Sequence, residues 1–177
     1  MFGWLRREKP DNEAVARLYD AIVVQSRCVD FYTSLSVADS LDGRFDILTL
    51  HVLLVMKRFK NETSEVLIFS QALFDHMFAD MDLSLREIGV SDLAIGKRVK
   101  QMGQAFFGRV AAYDQALEGA NDPMQDVIIR NVYRDESPGD EPVAILSDYV
   151  RRAHQMLAAQ STCALMRGEC TFPRVLG

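Results

Sequence analysis

No proline interrupts the chain between Asp11 and Asp122. Such a stretch accommodates long helices and gives little support to a sheet with many turns. Cysteine is scarce as well. Cys28, Cys163 and Cys170 form an odd set with no CxxC spacing, which points to a reducing compartment without a disulfide framework. Long apolar runs are missing. The longest, LHVLLVM from Leu50 to Met56, contains His51 and falls far short of the about 20 residues that span a bilayer. The opening MFGWLRREKP has neither the apolar run nor the small-residue cleavage site of a secretory signal. A soluble or peripheral protein is expected. Positive charge is also in deficit: the net charge of −5 argues against a general nucleic-acid binder and against DNA as a partner, although a local basic patch can still meet RNA.

The motifs of common chemistries are absent too. There is no G-x-S-x-G, no G-x-x-x-x-G-K-[ST], no G-x-G-x-x-G and no Glu-x-x-His. Gly96-Lys97 follows no strand and is not a phosphate loop. No catalytic residue is assigned, and no cofactor is expected.

What is present is an ordinary globular balance. The 177 residues are 49% hydrophobic and 25% charged, with ten phenylalanines, which suits one domain with a sizeable core. Residues 1–10 read as a flexible basic and aromatic start, 11–170 as a helical domain and 171–177 as an irregular tail. In the start, Phe2, Trp4 and Leu5 precede Arg6, Arg7 and Lys9. Aromatics with basic neighbours can hold a segment on an anionic membrane surface; the competing reading is a loose terminus.

The periodicity predicts an all-α, single-domain bundle of about six to seven helices. Pro10 and Asp11 mark the first helix, which runs to about Arg27, and DFYTSL reads as a short helical piece. A second long helix is expected from Gly43 to Lys60, with Asp42 as its cap. It is apolar on nearly all sides, so it belongs at the centre; its β-branched residues make a buried strand the competing reading. Lys57, Arg58 and Lys60 read as its solvent-facing C-terminal end. Val66, Phe69, Leu73, Met77, Met81, Leu85 and Ile88 recur at three- and four-residue steps, and Gly89 ends that third helix. Ser91 caps a fourth, running to about Glu118, with Leu93, Ile95, Val99, Met102, Phe106 or Phe107, Val110 and Tyr113 inward. Gly96, Gly103 and Gly108 on it are candidates for close helix approach. A fifth spans Pro123 to Tyr133 and a last one about Pro142 to Met166.

One stretch concentrates the polar chemistry. FDHMFADMDLSLREIGVSDLAIGKRVKQMGQAFFGR, residues 74–109, sets Asp75, His76, Asp80 and Asp82 within eight positions and Lys97, Arg98 and Lys100 within four. His76 and Asp80 share a helix face, yet His51 and His154 stand alone on their helices, so a hydrogen-bonded structural histidine is favoured over a metal ligand. Arg86 and Glu87 end one helix and the lysines begin the next. The turn at Gly89 therefore folds a positive patch toward Asp80 and Asp82. Either a solvated face or a partner surface fits that pattern.

These blocks resemble a known family. LYDAIVVQSR with FYTSL, then DGRFDILTLHVLLVMKRFK, then QALFDHMFADMDLSLREIGVSDLAIGKRVKQMGQAFFGRVAAYDQAL are similar, in order and spacing, to the bacterial form of the ubiquinol–cytochrome c reductase (bc1) assembly chaperones. The resemblance covers roughly residues 14 to 118. It implies a helical, non-enzymatic protein that assists production of cytochrome b or another bc1 subunit. The mitochondrial members act with a small partner protein and meet the ribosome near its exit tunnel. The implied location is the bacterial cytoplasm, peripheral on the inner membrane.

The matching polar positions are Asp42, Arg44 and Asp46, then Asp80, Asp82, Arg86 and Glu87, then Lys97, Arg98 and Lys100. All are candidate partner-binding residues; Arg44 and Asp46 serve equally well to fix the loop to the helix start. Phe74, Phe78, Phe106 and Phe107 are expected in the core. Met77, Met81 and Met102 either pack there or line an adaptable groove. Phe2, Trp4, Leu5, Arg6 and Arg7 are the candidate membrane contacts. The competing function class is a helical bundle that binds metal or haem through His51, His76 or His154.

Overall fold

Asp11 starts the first helix by accepting the backbone N–H groups of Glu13 (3.0 Å) and Ala14 (3.1 Å), two of the four donors a helix start leaves unpaired. The computed structural model describes residues 10–119, 123–136 and 138–177. The candidate membrane contacts Phe2, Trp4, Leu5, Arg6 and Arg7 lie outside these residues. In chain order the helices are α1 (Asn12–Ser26), α2 (Asp30–Thr33), α3 (Leu41–Phe59), α4 (Ser64–Glu87), α5 (Asp92–Leu117), α6 (Met124–Asn131), α7 (Asp140–Ala159) and α8 (Thr162–Met166). No strand forms among the described residues, and the fold is a single-domain all-α bundle.

Helix α3 is the axis of the bundle. Every residue from Phe45 to Val55 is buried, so this helix meets α1, α4, α5 and α7 on its different sides. The β-branched residues did not make it a strand, because the buried stretch from Phe45 to Val55 is long enough for about three turns and Ser40 caps the helix start. Its start differs from expectation. Ser40, not Asp42, is the cap, accepting the Gly43 N–H at 3.1 Å, and Asp42 sits in the first turn, where its charge meets the helix dipole. Gly43 is required for packing: a Cβ there would lie 2.0 Å from the Ala38 carbonyl oxygen. Helices α4 and α5 form the predicted antiparallel pair, turned at Gly89 with φ +85°.

Three further expectations need correction. Leu93 is 95% exposed, because it lies about 200° around α5 from the buried Ile95. Gly96 and Gly108 have nothing within 4 Å of a notional Cβ and Gly103 only Phe78 at 3.9 Å, so these glycines do not mediate close helix approach. The last helix breaks at Gln160, whose ψ of 143° ends α7 before α8 begins. The break is held from outside. The Gln160 side chain donates to the Met156 (3.1 Å) and Thr171 (2.9 Å) carbonyls and accepts the Thr171 N–H (2.9 Å).

The C-terminal tail is irregular but docked. Arg152 donates to the carbonyls of Arg174 (2.9 Å) and Val175 (3.2 Å), and Phe172 meets the edge of the His51 ring at 5.1 Å. The three cysteines are free thiols.

Candidate functional site

The DGRFD block opens α3 and separates into three roles. Asp46 is buried, and its carboxylate accepts from Arg109 on α5 (2.5 Å) and from Arg134 in the α6–α7 loop (3.1 Å). Burial pushes the Asp46 carboxyl above its ordinary value, and the two guanidinium charges offset part of that rise. Asp42, one turn earlier and half-buried, accepts from Arg98 (3.2 Å) and lies 3.6 Å from Arg134. Arg44 turns away to Asp39 at 2.7 Å on the surface, and that hydrogen bond holds the Asp39 carboxyl below its usual value. The result is a knot of two carboxylates and three guanidiniums joining α3, α5 and the α6–α7 loop. The Nη1 of Arg109 is buried in it without a hydrogen-bond partner among the described residues. Arg109 and Arg134 carry no motif of their own; only the fold brings them to Asp46.

The acidic and basic halves of residues 74–109 engage different partners. The Asp80 carboxylate accepts the Tyr19 hydroxyl at 2.8 Å, tying α4 to α1. Burial first, and that bond second, push the Tyr19 hydroxyl pKa far up. His76 lies against the same tyrosine, ring centroids 4.9 Å apart. Asp82 and Asp92 both hold Arg86, at 2.7 and 2.5 Å, across the α4–α5 turn. Glu87 is exposed beside them. The basic trio is divided as well. Arg98 reaches inward to Asp42, whereas Lys97 and Lys100 are exposed and have no ion pair among the described residues.

Met77, Met81 and Met102 are core residues, and Phe106 is fully buried. Phe74 and Phe78 are partly buried, with ring centroids 4.7 Å apart, while Phe107 is 63% exposed and leans on Phe74 at 5.6 Å. Phe107 therefore departs from its expected core role.

A feature the sequence did not disclose is a half-open cleft of about 470 Å³ between α3, α4 and α5. Its apolar walls are Leu53, Leu54, Met56, Leu67, Val110 and Leu117. Lys57, expected to face solvent, is largely buried and closes one side of it together with Lys60, which is exposed as expected. Lys57 donates to Asp114 (2.9 Å) and Glu118 (3.0 Å), and Lys60 to Asp114 (2.8 Å). Burial alone would raise the Asp114 carboxyl; the two lysine hydrogen bonds overcome it and leave the group below its usual value. Tyr113 lines the cleft, and its buried hydroxyl has no hydrogen-bond partner among the described residues. The signal available in the sequence was weak. Leu67 stands off the core stripe of α4, and Val110 and Leu117 lie seven apart on α5.

Among the described residues no group of three or more His, Cys, Asp or Glu could hold a metal ion. Both ring nitrogens of His51 are already engaged, by Ile47 and Tyr149, which leaves none for a ligand role. No helix among the described residues is long and apolar enough to cross a membrane.

Comparison with known proteins agrees with this architecture. A crystal structure of the Cbp3 homolog from Brucella abortus superposes with a TM-score of 0.82 at 33% identity, covering 96% of this chain and 94% of that one. The ubiquinol-cytochrome-c reductase complex assembly factor 1 of Xenopus laevis is 21% identical over 144 residues, 81% of this chain and 72% of its own length. The human counterpart is 22% identical over 160 residues, 90% of this chain. The chain spans about half the length of the mouse (49%) and human (54%) relatives. Residues 33–172 match the family described as ubiquinol-cytochrome C chaperone, and the chain belongs to that family.

Proposed function

We propose that this protein is a non-enzymatic assembly chaperone for the bc1 complex that holds newly made cytochrome b. It acts on the cytoplasmic side of a bacterial inner membrane. One observation carries the reading: in a member of this family, a half-open apolar cleft is built on the bundle axis and bordered by charged side chains. An apolar helix leaving the ribosome needs apolar surface before it finds its final neighbours, and a groove lined by Leu, Met and Val offers that surface. The charged pairs at Lys57, Lys60, Asp114 and Glu118 keep the opening wetted and discourage self-association. Asp46 serves the scaffold in this reading, by locking α3 to α5. Lys97 and Lys100, exposed and without an ion pair among the described residues, remain at the surface for a partner.

The test is gentle affinity purification of the tagged protein from membranes, followed by mass spectrometry. Cytochrome b is expected without the full set of bc1 subunits. Recovery of the complete mature complex would point to a structural subunit instead. Recovery of no bc1 subunit would remove the assigned client.

A further inference from the structure

On an acidic chain, the outer face of α5 carries a run of six positions with no carboxylate. Leu93, Lys97, Lys100, Gln104, Phe107 and Ala111 follow one another at steps of four, three, four, three and four, so they lie along one stripe of the helix. All six are exposed. Lys97 and Lys100 have no ion pair among the described residues, in contrast to Arg98 beside them, which is spent on Asp42. The two lysines sit between two large apolar side chains, Leu93 at 95% and Phe107 at 63% exposure. Those anchors are fourteen residues apart, about 21 Å along the helix. Phe107 is held in place by the Phe74 and Phe106 rings, at 5.6 and 5.8 Å. An aromatic already fixed in its bound position loses little conformational freedom on docking.

We infer that this stripe is a second docking face, distinct from the cleft. It takes an acidic amphipathic helix of a protein partner, with carboxylates over Lys97 and Lys100 and apolar residues against Leu93 and Phe107. The inference rests on the reading of this chain as a protein-holding chaperone and names the chemistry of one partner. Charge complementarity decides the occupant. The two unpaired lysines call for a negatively charged occupant, and the narrowness of the stripe decides its kind: two cations on one helix face offer a bilayer little, whereas two apolar anchors flanking them match one helix face.

The experiment uses the full chain and three probes. The first is a fluorescent amphipathic peptide of about 18 residues, with Glu along the centre of one face and Leu at both ends of it. The second is the same peptide with Lys for Glu, and the third is vesicles of phosphatidylcholine with phosphatidylglycerol. Binding is read by anisotropy for the peptides and by co-sedimentation for the vesicles. The acidic peptide is expected to bind, and Lys97→Glu with Lys100→Glu to weaken it about tenfold while strengthening the Lys peptide. Leu93→Ala with Phe107→Ala is expected to weaken the acidic peptide by a similar factor. All variants must keep the wild-type circular dichroism; the lysine reversals should also keep the melting temperature, whereas Phe107→Ala gives up its contacts with the Phe74 and Phe106 rings and is measured well below its own melting temperature.

Failure of the acidic peptide to bind, equal binding of both peptides, or affinities that the substitutions leave unchanged would overturn the inference. Vesicle binding lost on the lysine reversals, without acidic-peptide binding, would assign the stripe to lipid instead. Capture of cytochrome b is a separate readout. Its persistence with a failed peptide test removes only this face, and its loss with charge-dependent peptide binding leaves this face standing.

Discussion

Tyr149 on α7 donates its hydroxyl proton to Nε2 of His51 on α3, across 2.7 Å. The direction follows from the other ring nitrogen. Nδ1 lies 2.8 Å from the Ile47 carbonyl, which can only accept, so Nδ1 carries the hydrogen and Nε2 is the acceptor. The Gln25 amide then donates to the Tyr149 oxygen at 2.9 Å. Three helices are thereby joined through one neutral imidazole that is completely buried. With both ring nitrogens engaged, His51 is a structural element of the core.

That network predicts an acid-sensitive fold. Burial lowers the His51 pKa from 6.5 to about 4, with the Ile47 hydrogen bond opposing part of the fall. Between those values the unfolded chain binds the extra proton, so stability rises with pH. The contribution is complete above 6.5 and lost as pH falls toward 4. At pH 5 about 2 kcal/mol of it is gone. Urea unfolding at pH 7.5 and 5 should show a drop that is smaller by about that amount in His51→Gln. An identical drop in both proteins would mean that other groups set the acid sensitivity.

Asp46 and Asp42 look alike in the sequence and should behave differently. Asp46→Ala leaves the buried Arg109 without its charge partner, a change that costs about 3–5 kcal/mol. Asp42→Ala removes a half-exposed carboxylate from solvated arginines and should cost less than about 1 kcal/mol. The check is the urea midpoint at constant m. Equal losses would show that the knot stabilises as a whole and not through its buried member.

Much of the fold was legible because helix periodicity, caps and Gly89 are local signals. The apolar run around His51 placed α3 at the centre, and the three- and four-residue steps from Val66 to Leu85 placed α4. The errors occurred where distant residues decide. Gln160 breaks the last helix because Thr171 meets its amide, and no local feature at Gln160 announces that. The apolar character of Leu93 suggests an inward position, but its angle on α5 relative to Ile95 opposes one. The candidate site was legible as residues but not as an arrangement. Arg98 and the two lysines are adjacent in sequence and face different neighbours, and the cleft requires three helices at once.

The glycines give a test of sign. Gly96→Ala and Gly108→Ala place a methyl group in open space on α5 and should each stabilise by about 0.5–1 kcal/mol, by reducing the freedom of the unfolded chain. Gly43→Ala drives a methyl group into the Ala38 carbonyl and should destabilise strongly or prevent folding. Thermal melts of the three variants separate these cases. A destabilising change at Gly96 or Gly108 would mean that something packs there in solution.

Leu67 offers the most direct test of the cleft. It lines the opening from α4 and is 44% exposed, so Leu67→Glu places a charge where water can still reach it and should change stability by less than about 1 kcal/mol. The same charge would be buried beneath any apolar segment seated in the cleft, where an unpaired carboxylate costs several kcal/mol. Leu67→Glu should therefore lower the cytochrome b recovered with the tagged protein by at least about tenfold. Val24→Glu, on the 74% exposed side of α1, should leave recovery unchanged. The two variants carry the same added charge, so only position distinguishes them. Equal recovery would place the held segment elsewhere on the molecule, and equal loss would trace the effect to net charge.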